Sequence, residues 1–273
     1  MKYPSDHYRS LVNDILQFGK MLIRGLRDVV GKPESDIKTR IPTWFLSRSL
    51  IQFSVISDLS YQGNFPDAYI LFRSLLDRLL LYMHLIKRDE FCIFDDWCFK
   101  QEYEYRNRIK SSSDVKHKLT GDFWQVAEEQ TERYKQVKKD QRVKDWQRPK
   151  AKDIAKERGV KFLYDFGYNL ASGFVHPTST EGVYDYPRLV GLPTDHLDID
   201  LGLVLHNSCI TIAMHLQEIL NTYDFEYRRE LHHLIDGFKS FLGDPTFDYS
   251  ERLAKVIRLS KSDHLFRINE ISS

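Results

Sequence analysis

One segment, residues 67–87, limits what this chain can fold into more than any other. It reads D-A-Y-I-L-F-R-S-L-L-D-R-L-L-L-Y-M-H-L-I-K, follows directly on Pro66, and is apolar on almost every side. Proline is favoured in the first turn of a helix, and a helix that is apolar all round is typical of a bundle interior. The segment therefore predicts a central helix that is enclosed by other helices.

This predicted central helix carries three ionisable side chains, Arg73, Asp77 and His84, along one stripe. At about 100° per residue, Asp77 lies one turn after Arg73, and His84 returns to within about 20° of Arg73. Buried charges are costly unless they are paired. We therefore expect the stripe to meet polar partners from elsewhere in the fold.

The rest of the chain also predicts helices. Apolar periodicity or long apolar runs indicate helices over about 5–30, 42–61, 90–110, 160–175, 195–223, 225–242 and 249–260. No segment alternates apolar and polar residues as a strand does. The prediction is an all-α, multi-helix bundle with one domain, 1–273, in which 1–110 and 159–273 form the bundle and 111–158 forms a protruding, charged helical arm.

Composition excludes several classes of protein. A hydrophobic content of 42% and an aromatic content of 13% exclude a disordered chain. No apolar run is long enough for a membrane span, and the first residues lack a signal-peptide core. The cysteines form no C-x-x-C pair, which excludes a zinc knuckle and favours reduced thiols. We expect a cytoplasmic protein with no membrane contact and no cofactor.

A second polar stripe lies just before His176-Pro177. Asp165, Tyr168 (or Asn169), Ser172 and His176 fall at offsets of 0, 3 or 4, 7 and 11, so they share one face of a regular helix. The proline ends that helix, and the long loop 178–194 after it favours a functional role or a lid. Two interior stripes are most simply satisfied by facing each other.

Three interpretations of the paired stripes stay open. They form a buried hydrogen-bond network that fixes helix register, a catalytic site, or a metal site made from Asp77, His84 and His176. The candidate catalytic residues are His176, Arg73, Asp77, Ser172, Tyr168 and His84.

In the catalytic interpretation each residue has a role. His176 is the general acid or base, because imidazole changes charge near neutral pH. Arg73 stabilises a phosphoryl anion through its planar donors, and Asp77 orients its partners. Ser172 and Tyr168 supply supporting hydroxyls. Such a set suffices for metal-free RNA cleavage, in which the 2′-hydroxyl of the RNA is the nucleophile.

The arm has its own charge pattern. Residues 100–158 hold 17 Lys/Arg against 11 Asp/Glu, whereas the net charge of the whole chain is only +1. Basic residues with interleaved aromatics suit phosphate contacts and base stacking. An ordinary solvated helix is the alternative. The candidate nucleic-acid-binding residues are Arg133, Lys135, Lys138, Lys139, Arg142, Lys144, Arg148 and Lys150.

Two motifs resemble a known family. R-S-L-L-D at 73–77 and Y-N-L-A-S-G-F-V-H-P at 168–177 resemble a bacterial all-helical family catalogued as a domain of unknown function, whose members show R-S-L-x-E and Y-x-x-x-S-x-x-x-H-P. Asp77 stands where that family has Glu. The resemblance covers about 42–87 and 160–223, and it implies a fold rather than an activity.

A looser resemblance points to chemistry. R-L-L-L-Y-M-H, from Arg78 to His84, is similar to the R-x(4–6)-H motif of higher-eukaryote-and-prokaryote nucleotide-binding (HEPN) proteins. Many of those are metal-independent ribonucleases of toxin–antitoxin and antiphage systems. On a regular helix, however, the two side chains lie about 120° apart. Arg78 at the edge of the bundle is the alternative.

Together these observations lead to two hypotheses of function. The first is a nucleic-acid-associated effector, a metal-independent endoribonuclease of a bacterial defence or toxin–antitoxin system. Its partners would be RNA or DNA, a protein such as an antitoxin, or a second copy in a homodimer. The second is a non-enzymatic interaction or sensor module, in which the Arg/Asp/His cluster is structural or binds a small ligand.

Overall fold

The computed structural model describes residues 5–30, 36–112, 127–176, 186, 189–192 and 198–260. Every regular element in these ranges is a helix, and none is a strand. The all-α prediction is therefore confirmed. The helices are α1 Ser5–Val30, α2 Ile37–Tyr61, α3 Phe65–Arg88, α4 Phe91–Ser111, α5 Glu128–Lys139, α6 Gln141–Asp145, α7 Ala151–Glu157, a π-helix Leu163–Tyr168, α8 Asn169–Ser172, α9 Asp198–Thr222, α10 Arg228–Gly243 and α11 Ser250–Ser260. Most of the predicted loop 178–194 lies outside the described residues.

The central helix is α3, as predicted. Leu75, Leu79 and Leu85 have no exposed surface, and the other apolar side chains between Phe72 and Met83 are also buried. Nearer the start of the helix, Ile70 is 38% exposed. At its end Asp89 has a φ of 52°, and the Glu90 N–H reaches the Leu85 carbonyl at 3.2 Å. This is the hydrogen-bond pattern of a Schellman motif. The apolar run therefore explains why α3 is buried, and the left-handed conformation of Asp89 explains why the helix ends at Arg88.

Helix α2 differs from the prediction at its start. It begins at Ile37 rather than at Pro42, with the Asp36 side chain accepting a hydrogen bond from the Lys38 N–H at 3.2 Å. Aspartate is a favoured cap because it satisfies one of the first N–H groups. Trp44, a large apolar residue of this helix, is 53% exposed on the outer face.

The chain divides into two compact units, residues 1–84 with 150–273, and residues 85–149. In the first unit α2 packs on α1 and α9, α9 packs on α10, and α10 packs on α11. An aromatic cluster joins three of these helices: the ring of Phe18 meets that of Phe238 at 6.1 Å, and Phe238 meets Tyr249 at 5.2 Å. Both pairs have the edge-to-face geometry that aromatic rings prefer.

The second unit contains α4, α5 and α6, with α5 and α6 both packed on α4. Val137 and Val143 are buried there. Trp146 lies against the rings of Phe94 and Trp97 at 5.7 and 5.1 Å, and its indole N–H donates to a Glu90 carboxylate oxygen at 2.8 Å. The basic segment of the predicted arm is therefore anchored on α4 by a small apolar and aromatic core.

Candidate functional site

The two predicted polar stripes meet at one pair, Arg73 of α3 and Tyr168 of the π-helix. The Arg73 Nη2 donates to the Tyr168 hydroxyl at 3.0 Å, and the guanidinium carbon lies 4.8 Å from the ring centroid. Gly167 permits this close approach, because a Cβ there would lie 3.1 Å from a Leu76 methyl and 3.3 Å from the Phe72 ring. The pair is half-buried at the packed surface of α3.

Other members of the second stripe interact within their own segment. The Ser172 hydroxyl donates to the Tyr168 carbonyl at 2.7 Å, one turn earlier. Asp165 forms an ion pair with Lys161. A π-helix closes hydrogen bonds to the fifth residue, so the 100° rule that placed Asp165 and Tyr168 on one face does not hold across it. The predicted stripe is therefore broken at Asp165.

His176 follows this segment towards the beginning of α3. Tyr69 stacks on Phe174 with ring centroids 4.8 Å apart, whereas Arg73 contacts Tyr168. The two segments thus run antiparallel, and His176 lies beyond the Phe174 contact with an exposed side chain. Its predicted partnership with Arg73 stays a prediction.

The first stripe extends along α3 rather than forming one compact group. His84 is eleven residues after Arg73, which is about 16 Å along a helix axis. Asp77, one turn from Arg73, is half-buried, as is His84. Among the described residues no three His, Cys, Asp or Glu side chains are grouped as a metal site requires. Asp77, His84 and His176 therefore do not form the metal site that the sequence left open.

The structure reveals a polar contact that the sequence analysis missed. Arg78 does not lie at the bundle edge, because its Nη1 donates to Gln52 Oε1 at 2.7 Å and to Ser49 Oγ at 3.3 Å. Ser49 and Gln52 are both buried on the inner face of α2. Ser49 and Gln52 lie three residues apart on the same helix face as the apolar Leu46, Phe53 and Ile56. Polar residues on such a face are the signal that would have indicated a buried partner on the next helix.

His215 of α9 is a buried ionisable group that belongs to neither polar stripe. It is fully buried, its ring centroid lies 5.2 Å from that of Tyr82, and neither ring nitrogen has a hydrogen-bond partner in the described part of the chain. Burial, and secondarily the charge of Arg78, lowers its pKa from 6.5 to about 3. His215 is thus neutral in the folded protein at physiological pH.

Arg133, one of the predicted nucleic-acid-binding residues, contacts two carboxylates and an aromatic ring of α4. Its Nη2 contacts Asp95 Oδ2 at 2.6 Å and Asp96 Oδ1 at 2.8 Å, and its guanidinium lies 4.3 Å from the Phe99 ring centroid. These contacts fix α5 to α4. Arg133 is therefore already bound by two carboxylates.

The other predicted basic residues are exposed. Lys135 pairs with Glu132 at 2.6 Å and Arg142 with Asp140 at 2.8 Å. Lys138 lies over the ring of Tyr134 at 5.5 Å. The remaining exposed members of the set are Lys139, Lys144, Arg148 and Lys150.

A search for membrane spans over the described ranges finds no helix with the necessary length and apolarity.

Comparison with known proteins identifies a family. The model of a family of unknown function, DUF5677, matches residues 40–186, which is more than half of the chain and includes both quoted motifs. No curated protein and no solved structure matches it. The predicted relationship to a helical family of unknown function is confirmed, whereas the HEPN resemblance stays a prediction.

Proposed function

The chain belongs to the DUF5677 family, whose function is unknown, and we propose that it is a nucleic-acid-associated effector. In this proposal the basic segment of the unit 85–149 contacts the phosphate backbone. Electrostatic contacts of this kind need exposed cations on an ordered surface, but they need no deep pocket.

One observation carries the proposal: Lys138, Lys139 and Lys144 are exposed on helices that are anchored to α4. Val137 directly precedes Lys138, and Val143 directly precedes Lys144. Because both valines are buried, they hold the segment in place while the lysines face water. No carboxylate of the described residues forms an ion pair with any of the three lysines. Among these residues, a phosphate would therefore not have to displace a carboxylate from any of the three lysines; Lys138 contacts only the ring face of Tyr134 there.

Arg133 is not part of the proposed phosphate-binding set. Its guanidinium is already bound to Asp95 and Asp96, and a phosphate would compete with two carboxylates. We assign to Arg133 the role of orienting α5, so that the lysines further along the helix are presented to solvent.

Fluorescence anisotropy with a labelled single-stranded RNA tests this binding. The combined variant Lys138→Gln, Lys139→Gln, Lys144→Gln should bind at least about tenfold more weakly at low salt, since each phosphate contact contributes separately. A control that removes three exposed cations from the other unit is Lys20→Gln, Arg24→Gln, Arg229→Gln. Equal weakening by both variants, or by neither, would contradict the proposal.

We further propose that the protein cleaves RNA without a metal. In such a reaction a base removes the proton of a 2′-hydroxyl, that oxygen attacks the adjacent phosphorus, and the bond to the 5′-oxygen breaks as this oxygen takes a proton. His176 supports the proposal because its imidazole is exposed at the end of the segment that carries Tyr168. Arg73 would stabilise the phosphoryl anion once it exchanged the Tyr168 hydroxyl for phosphate oxygens.

Incubation of the purified protein with total RNA in EDTA tests cleavage. The wild type should yield products with 2′,3′-cyclic phosphate ends, and His176→Ala should yield none. His233→Ala, which changes an exposed histidine on α10, should cleave normally. Absence of products from the wild type would contradict the proposed ribonuclease activity. The proposed RNA binding would still be tested separately by the anisotropy measurement.

A specific observation favours the alternative function, an interaction or sensor module without catalysis. Arg73 Nη2 and the hydroxyls of Tyr168 and Ser172 already form hydrogen bonds inside the fold. In that case Arg73→Met should lower stability without changing how the protein treats RNA. A partner protein, such as an antitoxin, would then be the ligand of the exposed surfaces.

A further inference from the structure

The outer face of α2 is exposed to solvent, yet it carries several apolar side chains. Three of its side chains, Trp44, Ile51 and Val55, have exposed fractions of 53%, 58% and 40%. Isolated exposed apolar residues are ordinary, but several on one face mark an interaction surface. The exposed residues of this face, here called the α2 stripe, are Trp44, Arg48, Ile51, Val55, Asp58 and Gln62.

The inner face of α2 combines polar and apolar side chains. Its polar members are Thr43, Ser49, Gln52, Ser57 and Ser60, all buried. Ser49 and Gln52 accept from Arg78, and the Ser60 hydroxyl donates to the Ile56 carbonyl at 2.7 Å. Its buried apolar members are Ile41, Leu46, Leu50, Phe53 and Ile56. Helix α2 therefore carries apolar side chains on both faces, which is expected if the outer face also packs against protein.

The spacing of the α2 stripe is that of a helix–helix seam. Its residues follow one another at steps of four, three, four, three and four. This is the repeat of about 3.5 residues that keeps one line of side chains against a partner helix.

The stripe is also complementary to itself when two copies run antiparallel. With a twofold axis level with residue 53, Arg48 faces Asp58 of the second copy, and Ile51 faces Val55 of the second copy. Each contact occurs twice, as it must around a twofold axis. The two charges thus pair across the interface, and the apolar residues lie between them.

We propose that the α2 stripe is the interface of a homodimer, in which the α2 helices of two copies pack antiparallel. The same register places Trp44 opposite Gln62 of the second copy. Gln62 lines a groove of about 500 Å³ between α1 and α2, together with Arg9 and Tyr61. The groove has room for an indole ring, and aromatic side chains in pockets are the usual anchors of an interface.

Sedimentation equilibrium of the full chain and of charge-reversed variants tests the proposal. The wild type should have a mass near twice the 32.4 kDa of one chain. Arg48→Asp alone and Asp58→Arg alone each create two like-charged pairs, so the dimer dissociation constant should rise at least about tenfold. In a mixture of the two variants, one chain is acidic at both positions and the other is basic at both. Every facing pair is then oppositely charged, and dimers should return.

Two controls separate this interface from other causes. Arg24→Asp reverses an exposed arginine on α1, and Phe166→Glu places a charge on an apolar side chain that is 75% exposed. Both should remain dimeric, whereas Ile51→Glu should be monomeric. Circular dichroism should show that each variant is folded; if Arg48→Asp is not, the pair Arg48→Glu and Asp58→Lys makes the same test.

Three results would overturn the proposal. They are a monomeric wild type at micromolar concentration, dissociation by Phe166→Glu instead of Ile51→Glu, and failure of the mixed charge-reversed variants to dimerise. The difference in acrylamide quenching between the wild type and Trp44→Phe provides a second readout, because dimerisation through α2 would shield the indole of Trp44. RNA binding is proposed for the unit 85–149, and cleavage for Arg73 and the segment before His176. None of these residues belongs to the α2 stripe, so either proposal can fail without the other.

Discussion

The guanidinium of Arg73 is held by a single aromatic residue, Tyr168, which accepts its hydrogen bond at 3.0 Å and also lies under it at 4.8 Å. The buried helix α3 is therefore joined to the π-helix through a phenol hydroxyl and a ring face. Both interactions are available to a cation. This pair is the point at which the two stripes predicted from sequence meet.

Removing only the hydroxyl should weaken this junction. Tyr168→Phe keeps the ring under Arg73 but removes the acceptor, so we expect the free energy of unfolding to fall by about 1 kcal/mol. Urea unfolding measures the change. A cycle with Arg73→Met should show that the two substitutions are not additive; strict additivity would mean that the contact contributes nothing.

The sequence predicted the centre of this fold because α3 is apolar on every side, a pattern that only an enclosed helix tolerates. It also placed polar stripes on α3 and on the segment before His176. It did not predict the π-helix, because the 100° rule assumes the regular spacing that Leu163–Tyr168 departs from. The partner of a stripe depends on which helices become neighbours, and a single stripe does not contain that information.

His215 should make the fold less stable in acid. The unfolded chain binds a proton at this residue near its ordinary pKa of 6.5, whereas burial lowers the folded pKa to about 3. Its contribution is therefore fully present above pH 6.5 and is lost as the pH falls through the interval down to about 3. The limiting slope for one proton is about 1.4 kcal/mol per pH unit.

The substitution His215→Met tests this assignment. Methionine fills a similar space and does not titrate, so the variant should be at least as stable as the wild type at pH 7. Its advantage should grow as the pH falls below 6.5. Thermal unfolding across this range measures the difference, and a constant difference between pH 7 and pH 4 would contradict the buried, neutral state.

Arg133 was a reasonable candidate for phosphate binding from sequence, because nothing in the sequence showed that Asp95 and Asp96 would face it. Those carboxylates lie 38 and 37 residues away along the chain. Charge patterns predict that a surface is basic, but the packing of α5 on α4 determines which cations are already paired.

Loss of Arg133 should therefore loosen α5 rather than simply weaken binding. Arg133→Gln removes two ion pairs and the contact with Phe99, and we expect a loss of about 1 kcal/mol. Amide hydrogen exchange within Glu128–Lys139 should speed up. Lys139→Gln, a matched change on the exposed side of the same helix, should leave exchange unaltered.

Gly237 of α10 packs closely against Tyr249, the residue before α11. A Cβ at this position would lie 2.9 Å from the Cβ of Tyr249, which is a short and inflexible contact. Gly237→Ala should cost about 1–3 kcal/mol through displacement of the backbone. At Gly243 nothing lies within 4 Å of an added Cβ, so Gly243→Ala should be neutral or stabilising; equal effects at both sites would contradict this packing.

The salt dependence of RNA binding measures how many phosphates the basic segment on α4 contacts. For single-stranded RNA the slope of log K against log salt is about −0.7 for each phosphate contact. The variant Lys138→Gln, Lys139→Gln, Lys144→Gln should therefore have a slope about 2 units shallower than the wild type. The control variant Lys20→Gln, Arg24→Gln, Arg229→Gln should keep the wild-type slope. An unchanged slope in the first variant, or an equal loss in the control, would contradict the assignment of phosphate binding to the basic segment on α4.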